Sequence, residues 1–165
     1  MNYCPLCATP LVTRAIDHQD YLACSACHFV FWDNPVPVVM ALVRIDHKYV
    51  LAHNRLWPEG VYSFITGYVD RHETPEQAAV REVKEELNLE GTIQQFLGHY
   101  MFRQKNQIII AYEVNATGSI KSNHELDDIV LVSPEELAVY DFGSYYITAE
   151  VVARWAEQLE DTGTA

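Results

Sequence analysis

The stretch from Thr74 to Leu89 constrains the fold more tightly than any other part of the chain. Thr74-Pro75-Glu76-Gln77 combines a capping hydroxyl, a first-turn proline and a glutamine three residues on, which is the grammar of a helix start. Beyond Pro75, Ala79, Val83 and Leu87 recur every four residues with Val80 beside them, so the helix must lay one stripe on a core. Glu82, Glu85 and Glu86 fall at i, i+3 and i+4 and share another face. Like charges at that spacing cost an isolated helix about 0.2–0.5 kcal/mol per pair, and Arg81 and Lys84 offset a part of this. Two readings account for the face. It is a solvated acidic surface, the commoner fate of glutamates on a helix, or a carboxylate set for divalent cations, which need hard oxygen ligands and share them with substrate phosphates. Spacing alone leaves both open.

Around this helix the chain reads as short strands: Val36–Ile45, Tyr49–His53, Tyr62–Ile65, Ile93–Phe102, Gln107–Val114 and Ile129–Val132. Asp46-His47 and Pro58-Glu59-Gly60 mark turns between them. Ser133-Pro134-Glu135-Glu136 opens a shorter helix with the same start signal. A last helix, from about 147 to 159, places Val151, Val152, Trp155 and Leu159 on one stripe. Strands interrupted by a few helices predict an α/β (α+β) domain with a mixed sheet flanked by helices. The domain is expected over 35–160, with 161–165 as a frayed tail.

Residues 1–34 differ in kind and form a separate appendage. They hold all four cysteines, as Cys4-x-x-Cys7 and Cys24-x-x-Cys27 separated by sixteen residues. That spacing suits a four-thiolate zinc site, and the segment resembles a zinc ribbon. Disulfides are one rival, disfavoured because the N-terminus lacks the basic start and apolar stretch of a secretion signal, and a redox Cys-x-x-Cys is another, disfavoured because neither pair opens an amphipathic helix. The expected location is therefore a reducing cytoplasm. Four cysteines would close the coordination shell, leaving a structural zinc and making His18 and His28 bystanders. The ribbon is expected to serve folding or dimerisation.

Eleven Lys and Arg against 23 Asp and Glu give a net charge of −12. That field repels phosphate polymers, which argues against bulk nucleic-acid and anionic-membrane partners. A phosphorylated small molecule needs local cations or metal ions to approach. The longest apolar run, Val38 to Val43, is far short of the roughly 20 residues of a membrane span.

The stretch Gly67–Leu89 resembles the Nudix box, G-x5-E-x7-R-E-U-x-E-E-x-G-U with U aliphatic. Gly67, Glu73, Arg81, Glu82, Val83, Glu85, Glu86 and Leu89 stand at its fixed positions. Asn88 replaces the family's last glycine, a change that a left-handed helix cap tolerates. The resemblance implies an α/β/α sandwich around a mixed sheet, preceded here by the small zinc ribbon. It implies Mg²⁺ or Mn²⁺ as catalytic cofactor, with Glu82 and Glu86 as direct ligands and Glu85 as a further ligand or water-orienting base. Gly67 would let its backbone approach the metal closely, Glu73 would support the site, and Arg81 would pair with Glu73. Glu125, before the last strand, is a candidate base or third-metal ligand, with a plain surface residue as the alternative.

The implied activity is cleavage of a nucleoside diphosphate linked to a moiety X, giving a nucleoside monophosphate and phospho-X. Alternatives are a house-cleaning nucleoside triphosphate pyrophosphohydrolase and a non-catalytic ADP-ribose sensor; sensors typically lose box glutamates, and this chain keeps all four. Ribbon-bearing members include NADH pyrophosphatases, whose S-Q-P-W-P-F-P-x-S signature is missing after the box. ADP-ribose/FAD pyrophosphatases resemble the layout more closely, including Phe31–Pro35 and Ser144-Tyr145-Tyr146. Candidates for base recognition are Phe64, Phe102 and Tyr100, each of which as a strand aromatic could equally be core. Arg55 and Arg103 are candidates for phosphate contact. Members of this size often form homodimers, and no residue here marks such an interface.

Overall fold

A computed structural model describes residues 1–143 and 146–162, with side chains to residue 159. Ser144 and Tyr145 of the expected Ser-Tyr-Tyr motif lie outside the described residues. The chain divides into two compact units, Met1–Pro35 and Val36–Ala165, one residue beyond the boundary expected at 34.

The first unit is a three-stranded antiparallel sheet of β1 (Leu11–Ile16), β2 (Gln19–Cys24) and β3 (Val30–Phe31). Asp17 and His18, both at positive φ, make the two-residue turn between β1 and β2. Most side chains of β1 are exposed, so hydrophobic alternation could not reveal this sheet.

In the second unit the strand order is β7-β8-β4-β5-β9, with β6 pairing β4. The strands are β4 (Val36–Ile45), β5 (Lys48–Asn54), β6 (Ile65–Tyr68), β7 (Glu90–Phe102), β8 (Gln107–Thr117) and β9 (Leu126–Val132). The β4–β8 pair is parallel and the others are antiparallel, which makes the sheet mixed. Helix α1 (Pro75–Leu87) covers one face, while α2 (Pro134–Ala138) and α3 (Tyr146–Thr162) contribute to the core on the other. Central β4 is buried on both sides and therefore reads as a continuous apolar run. Its Val39, Ala41 and Val43 meet Ala79, Val83 and Leu87 of α1. Its Val38, Met40 and Leu42 meet Leu137 of α2 and Ile147, Val151, Val152 and Trp155 of α3. This is the α/β/α sandwich expected from the sequence.

Helix α1 starts and stops where its sequence says. The Gln77 amide donates to Thr74 Oγ1 at 3.3 Å, and Gln77 Oε1 accepts from the Thr74 amide at 2.8 Å. Asn88 closes the helix in the left-handed region, φ 58°, with its amide on the Lys84 carbonyl.

Two expectations shift. The strand expected over Tyr62–Ile65 instead runs over Ile65–Tyr68. Ser63 spends its backbone amide and carbonyl on Ala52 of β5, after which the chain crosses to pair with β4. The final helix continues to Thr162, two residues into the stretch expected to fray, and residues 163–165 lie outside the described residues. Among the described residues no helix is long and apolar enough to cross a membrane.

Candidate active site

The loop between β6 and α1 is held by one guanidinium. Arg81 Nε donates to Glu73 Oε2 at 3.1 Å and Nη2 donates to Glu73 Oε1 at 2.7 Å. Nη2 also donates to the Tyr68 carbonyl at 2.9 Å, and Nη1 donates to Glu82 Oε1 at 2.7 Å and Glu85 Oε2 at 3.1 Å. The planar fork thereby ties the end of β6, the loop and two helical carboxylates to one point. Its hydrogen bonds hold the Glu73 carboxyl below the ordinary glutamate range, helped by the Asp70 amide.

Gly67 stands where β6 passes the Glu82 side chain. A Cβ there would lie 1.9 Å from both Cδ and Oε1 of Glu82, far inside contact distance. The constraint is close approach rather than backbone torsion: any side chain here would have to push the Glu82 carboxylate aside.

Glu86 is only 6% exposed. Its carboxylate accepts no hydrogen bond among the described residues. Burial, then the charges of Glu82, Glu125 and Glu85, push it up to about 8. Burial also raises Glu82, against the pull of Arg81. Glu125 reaches this group because its loop hangs on the end of α1. The Asn123 amide donates to the Glu86 carbonyl at 3.0 Å, and the Lys121 amide donates to that of Leu87 at 2.9 Å. Asn123 Oδ1 then accepts from the Glu125 amide at 2.9 Å. An unpaired carboxylate taken out of water costs several kcal/mol unless a cation compensates it. Glu82, Glu85 and Glu86 offer the hard oxygen donors that Mg²⁺ or Mn²⁺ take, although among the described residues no three carboxylates bring their oxygens within 4.8 Å of one another as the four cysteine sulfurs do.

Across β6 from these carboxylates lies a cavity of about 620 Å³, within the usual range for small-molecule sites. Phe102, a candidate for base recognition, lines it. The Phe102 and Tyr146 rings meet edge-on at 6.5 Å, and Lys105 Nζ lies 5.8 Å from the Phe102 centroid. The other aromatic candidates are placed differently. Phe64 is buried in the core against Phe142, 1% exposed, because the chain turns it under the sheet between Ser63 and β6. Tyr100 is half-buried and donates its hydroxyl to the Leu97 carbonyl. Arg103 is exposed on a 3-10 turn, Arg103–Lys105, and does not line the cavity. Arg55 is likewise exposed and outside the lining, although its amide donates to the Glu125 carbonyl at 3.0 Å. Sequence reading missed Trp57, Ser63, Lys105 and Thr148, which line the cavity from separate segments with no shared motif.

In the first unit the four cysteine sulfurs lie within 4.8 Å of one another. Cys4–Cys27 is 3.6 Å, Cys7–Cys24 is 3.5 Å and Cys7–Cys27 is 3.9 Å. Tetrahedral corners about 2.3 Å from a zinc ion stand about 3.8 Å apart, whereas a disulfide needs about 2.05 Å. The Ala26 amide donates to Cys24 Sγ at 3.4 Å. The four free thiols fit a tetrahedral metal and not a pair of disulfides.

The crystal structure of a NUDIX hydrolase from Nitrosomonas europaea superposes with a TM-score of 0.83 at 20% identity, covering 96% of this chain and 92% of that one. An ADP-ribose pyrophosphatase from Streptococcus suis superposes with a TM-score of 0.60 at 21% identity, over 76% of this chain and 92% of that one. At these identities the likeness is one of fold. Among curated sequences, the NAD-capped RNA hydrolase NudC of Vibrio atlanticus is 28% identical over 131 residues, 78% of this chain and 48% of the relative. The chain thus spans about half the length of the curated relatives it matches. The NUDIX domain model matches residues 34–153, which contain the box, α1, α2, the first turns of α3 and the cavity lining. The chain belongs to the NUDIX domain family.

Proposed function

We propose that this protein is a divalent-metal-dependent hydrolase that cleaves the pyrophosphate of a nucleoside diphosphate linked to X, yielding a nucleoside monophosphate and phospho-X. The observation that carries the reading is buried Glu86 under the repelling charges of half-buried Glu82 and of exposed Glu125 and Glu85, beside the bare backbone of Gly67. When bound, Mg²⁺ or Mn²⁺ supplies the positive charge that admits a polyanion to an acidic protein and makes a water more acidic. Glu82 and Glu86 are the direct ligands, with Glu85 beside them. Glu85 or Glu125 accepts the proton of the attacking water, and Glu73 with Arg81 keeps the loop and helix in register. The water oxygen bonds to one phosphorus as the bridging oxygen leaves on the other phosphate, so no oxidant or further reactant is needed.

The cavity supports a nucleotide substrate, since Thr66 lines it and Gly67, the next residue, faces Glu82. The names of relatives, NAD-capped RNA hydrolases and an ADP-ribose pyrophosphatase, support the same substrate class. ADP-ribose, FAD and NADH-like molecules are the leading candidates. The ribbon, residues 1–34, holds a structural Zn²⁺ and serves folding or a homodimer contact, and residues 35–160 form the hydrolase domain. The protein works on a small molecule in the cytoplasm rather than on bulk nucleic acid or membrane.

The test is a panel of ADP-ribose, NADH, NAD, FAD, diadenosine polyphosphates and dNTPs with Mg²⁺ or Mn²⁺ and product identification. Release of phospho-X supports the reading. Inorganic pyrophosphate from a triphosphate alone favours the house-cleaning alternative. Tight ADP-ribose binding without turnover favours the sensor.

A further inference from the structure

We propose that Ser63 and Thr148 form a two-point polar floor that lets the cavity read adenine and guanine alike, an inference that rests on the nucleotide reading above and names its substrate class as purine nucleoside diphosphates linked to X. Among the described lining residues there is no Asp or Glu, in a chain with 23 of them, and Lys105 is the one cation. Such a lining suits an uncharged ring rather than a pyrophosphate. Phe102, Tyr146 and Trp57 supply aromatic surface, and Met40 and Ile109 supply an apolar wall. The ring still needs hydrogen-bond partners for its polar edge; the buried polar residues of the lining are Gln107, 8% exposed and donating its amide to the Tyr68 hydroxyl, and the pair Ser63 and Thr148, 2% and 1% exposed.

Their hydroxyl oxygens are 2.8 Å apart and either can be the donor. Both are held in place before any ligand arrives. Ser63 is fixed by its two backbone bonds to Ala52, and Thr148 is a β-branched residue in the first turn of α3. Each hydroxyl owns one proton and two lone pairs. The bond between them uses one proton, so the pair shows a ligand one donor on one oxygen and an acceptor on the other. Rotating both hydroxyls reverses that order without breaking the pair or moving a heavy atom.

The two purines present the two orders. Adenine offers an amino donor beside its N1 acceptor. Guanine offers a carbonyl acceptor beside its N1–H donor. A floor of fixed polarity would leave buried polar groups unpaired against one of them and can reject it by about 10⁴-fold. The reversible pair satisfies either.

The experiment measures binding of AMP, GMP and purine riboside 5′-monophosphate by calorimetry at fixed Mg²⁺. Purine riboside keeps N1 and lacks the group at position 6. In the unmodified protein AMP and GMP should bind within about tenfold of each other, and purine riboside monophosphate should bind about fivefold to tenfold more weakly than AMP. In the Ser63→Ala/Thr148→Val double variant the gap between AMP and purine riboside monophosphate should collapse to under about twofold. A floor that only braces α3 against β5 would weaken all three ligands and leave that gap intact. If the double variant fails to fold, the three affinities of the unmodified protein decide alone. Separation of AMP from GMP by more than about a hundredfold, a gap that persists in the variant, or no binding of any of the three would overturn the proposal. ADP-ribose turnover, measured on the same samples, separates the two readings. Cleavage without the gap sinks the floor alone, and the gap without cleavage sinks the hydrolase and leaves the floor.

Discussion

Replacing Glu86 by glutamine should make the metal-free protein more stable while abolishing its chemistry. Glu86 is buried, its carboxylate is unpaired, and it is pushed from the ordinary glutamate value of 4.5 up to about 8. An acid whose folded pKa lies above its unfolded one opposes folding once ionised. Its burden is absent below about pH 4.5, grows as pH rises, and is complete above about pH 8. At 1.36 kcal/mol per pKa unit the burden near neutral pH is about 3 kcal/mol. Glutamine removes it and can donate to the neighbouring carboxylates. For a chain of this size each kcal/mol moves Tm by about 2–4 °C, so the variant should melt several degrees higher at pH 8 without metal. At pH 5 the difference should shrink to about 1 kcal/mol, or a few degrees. With Mg²⁺ the order should invert, because only the parent gains RT ln(1 + [Mg²⁺]/Kd). The assay is differential scanning fluorimetry at pH 5 and pH 8, with EDTA or Mg²⁺, alongside turnover of ADP-ribose. A variant that melts below the parent at pH 8 in EDTA, or gains equally at both pH values, would refute the argument.

Gly67→Ala forces the Glu82 carboxylate aside, so kcat should drop about a hundredfold with little change in Tm; parental turnover would remove the close-approach argument. Cys24→Ser should lose the metal from the ribbon, read by elemental analysis, and speed amide exchange in β1 and β2 while β4 and β8 keep their protection. Asn88→Gly relieves the left-handed strain at φ 58° and should stabilise by about 0.5 kcal/mol in chemical denaturation; a loss of stability would show that the asparagine side chain matters at the cap.

Helix α1 was legible because its signals are local: a capping box, a four-residue apolar repeat and a left-handed cap all lie within sixteen residues. The four cysteines were legible for the same reason. Glu86 illustrates the limit. Its place among the carboxylates follows from helical spacing, whereas its near-total burial depends on the loop of Lys121 and Asn123 folding over the end of α1. The Ser63–Thr148 pair spans 85 positions and joins an irregular segment to a helix start, so no periodicity could announce it. Phe64 misled because an aromatic in a strand looks the same whether it faces ligand or core. What decides is which side of the chain Ser63 anchors, and that is a tertiary matter.

The four residues of β6 divide their duties by parity: Thr66 belongs to the cavity, and Ile65 and Gly67 to the side of α1. A slip of one position along β4 would hand each side chain to the opposite layer. Deleting or inserting a single residue within Ile65–Tyr68 should therefore disable ring recognition and cation capture in one stroke, whereas length changes near Glu59 and Gly60, outside that ladder, leave the parity untouched. Two chemically unrelated halves of the site are thus inherited together, through the phase of one short strand.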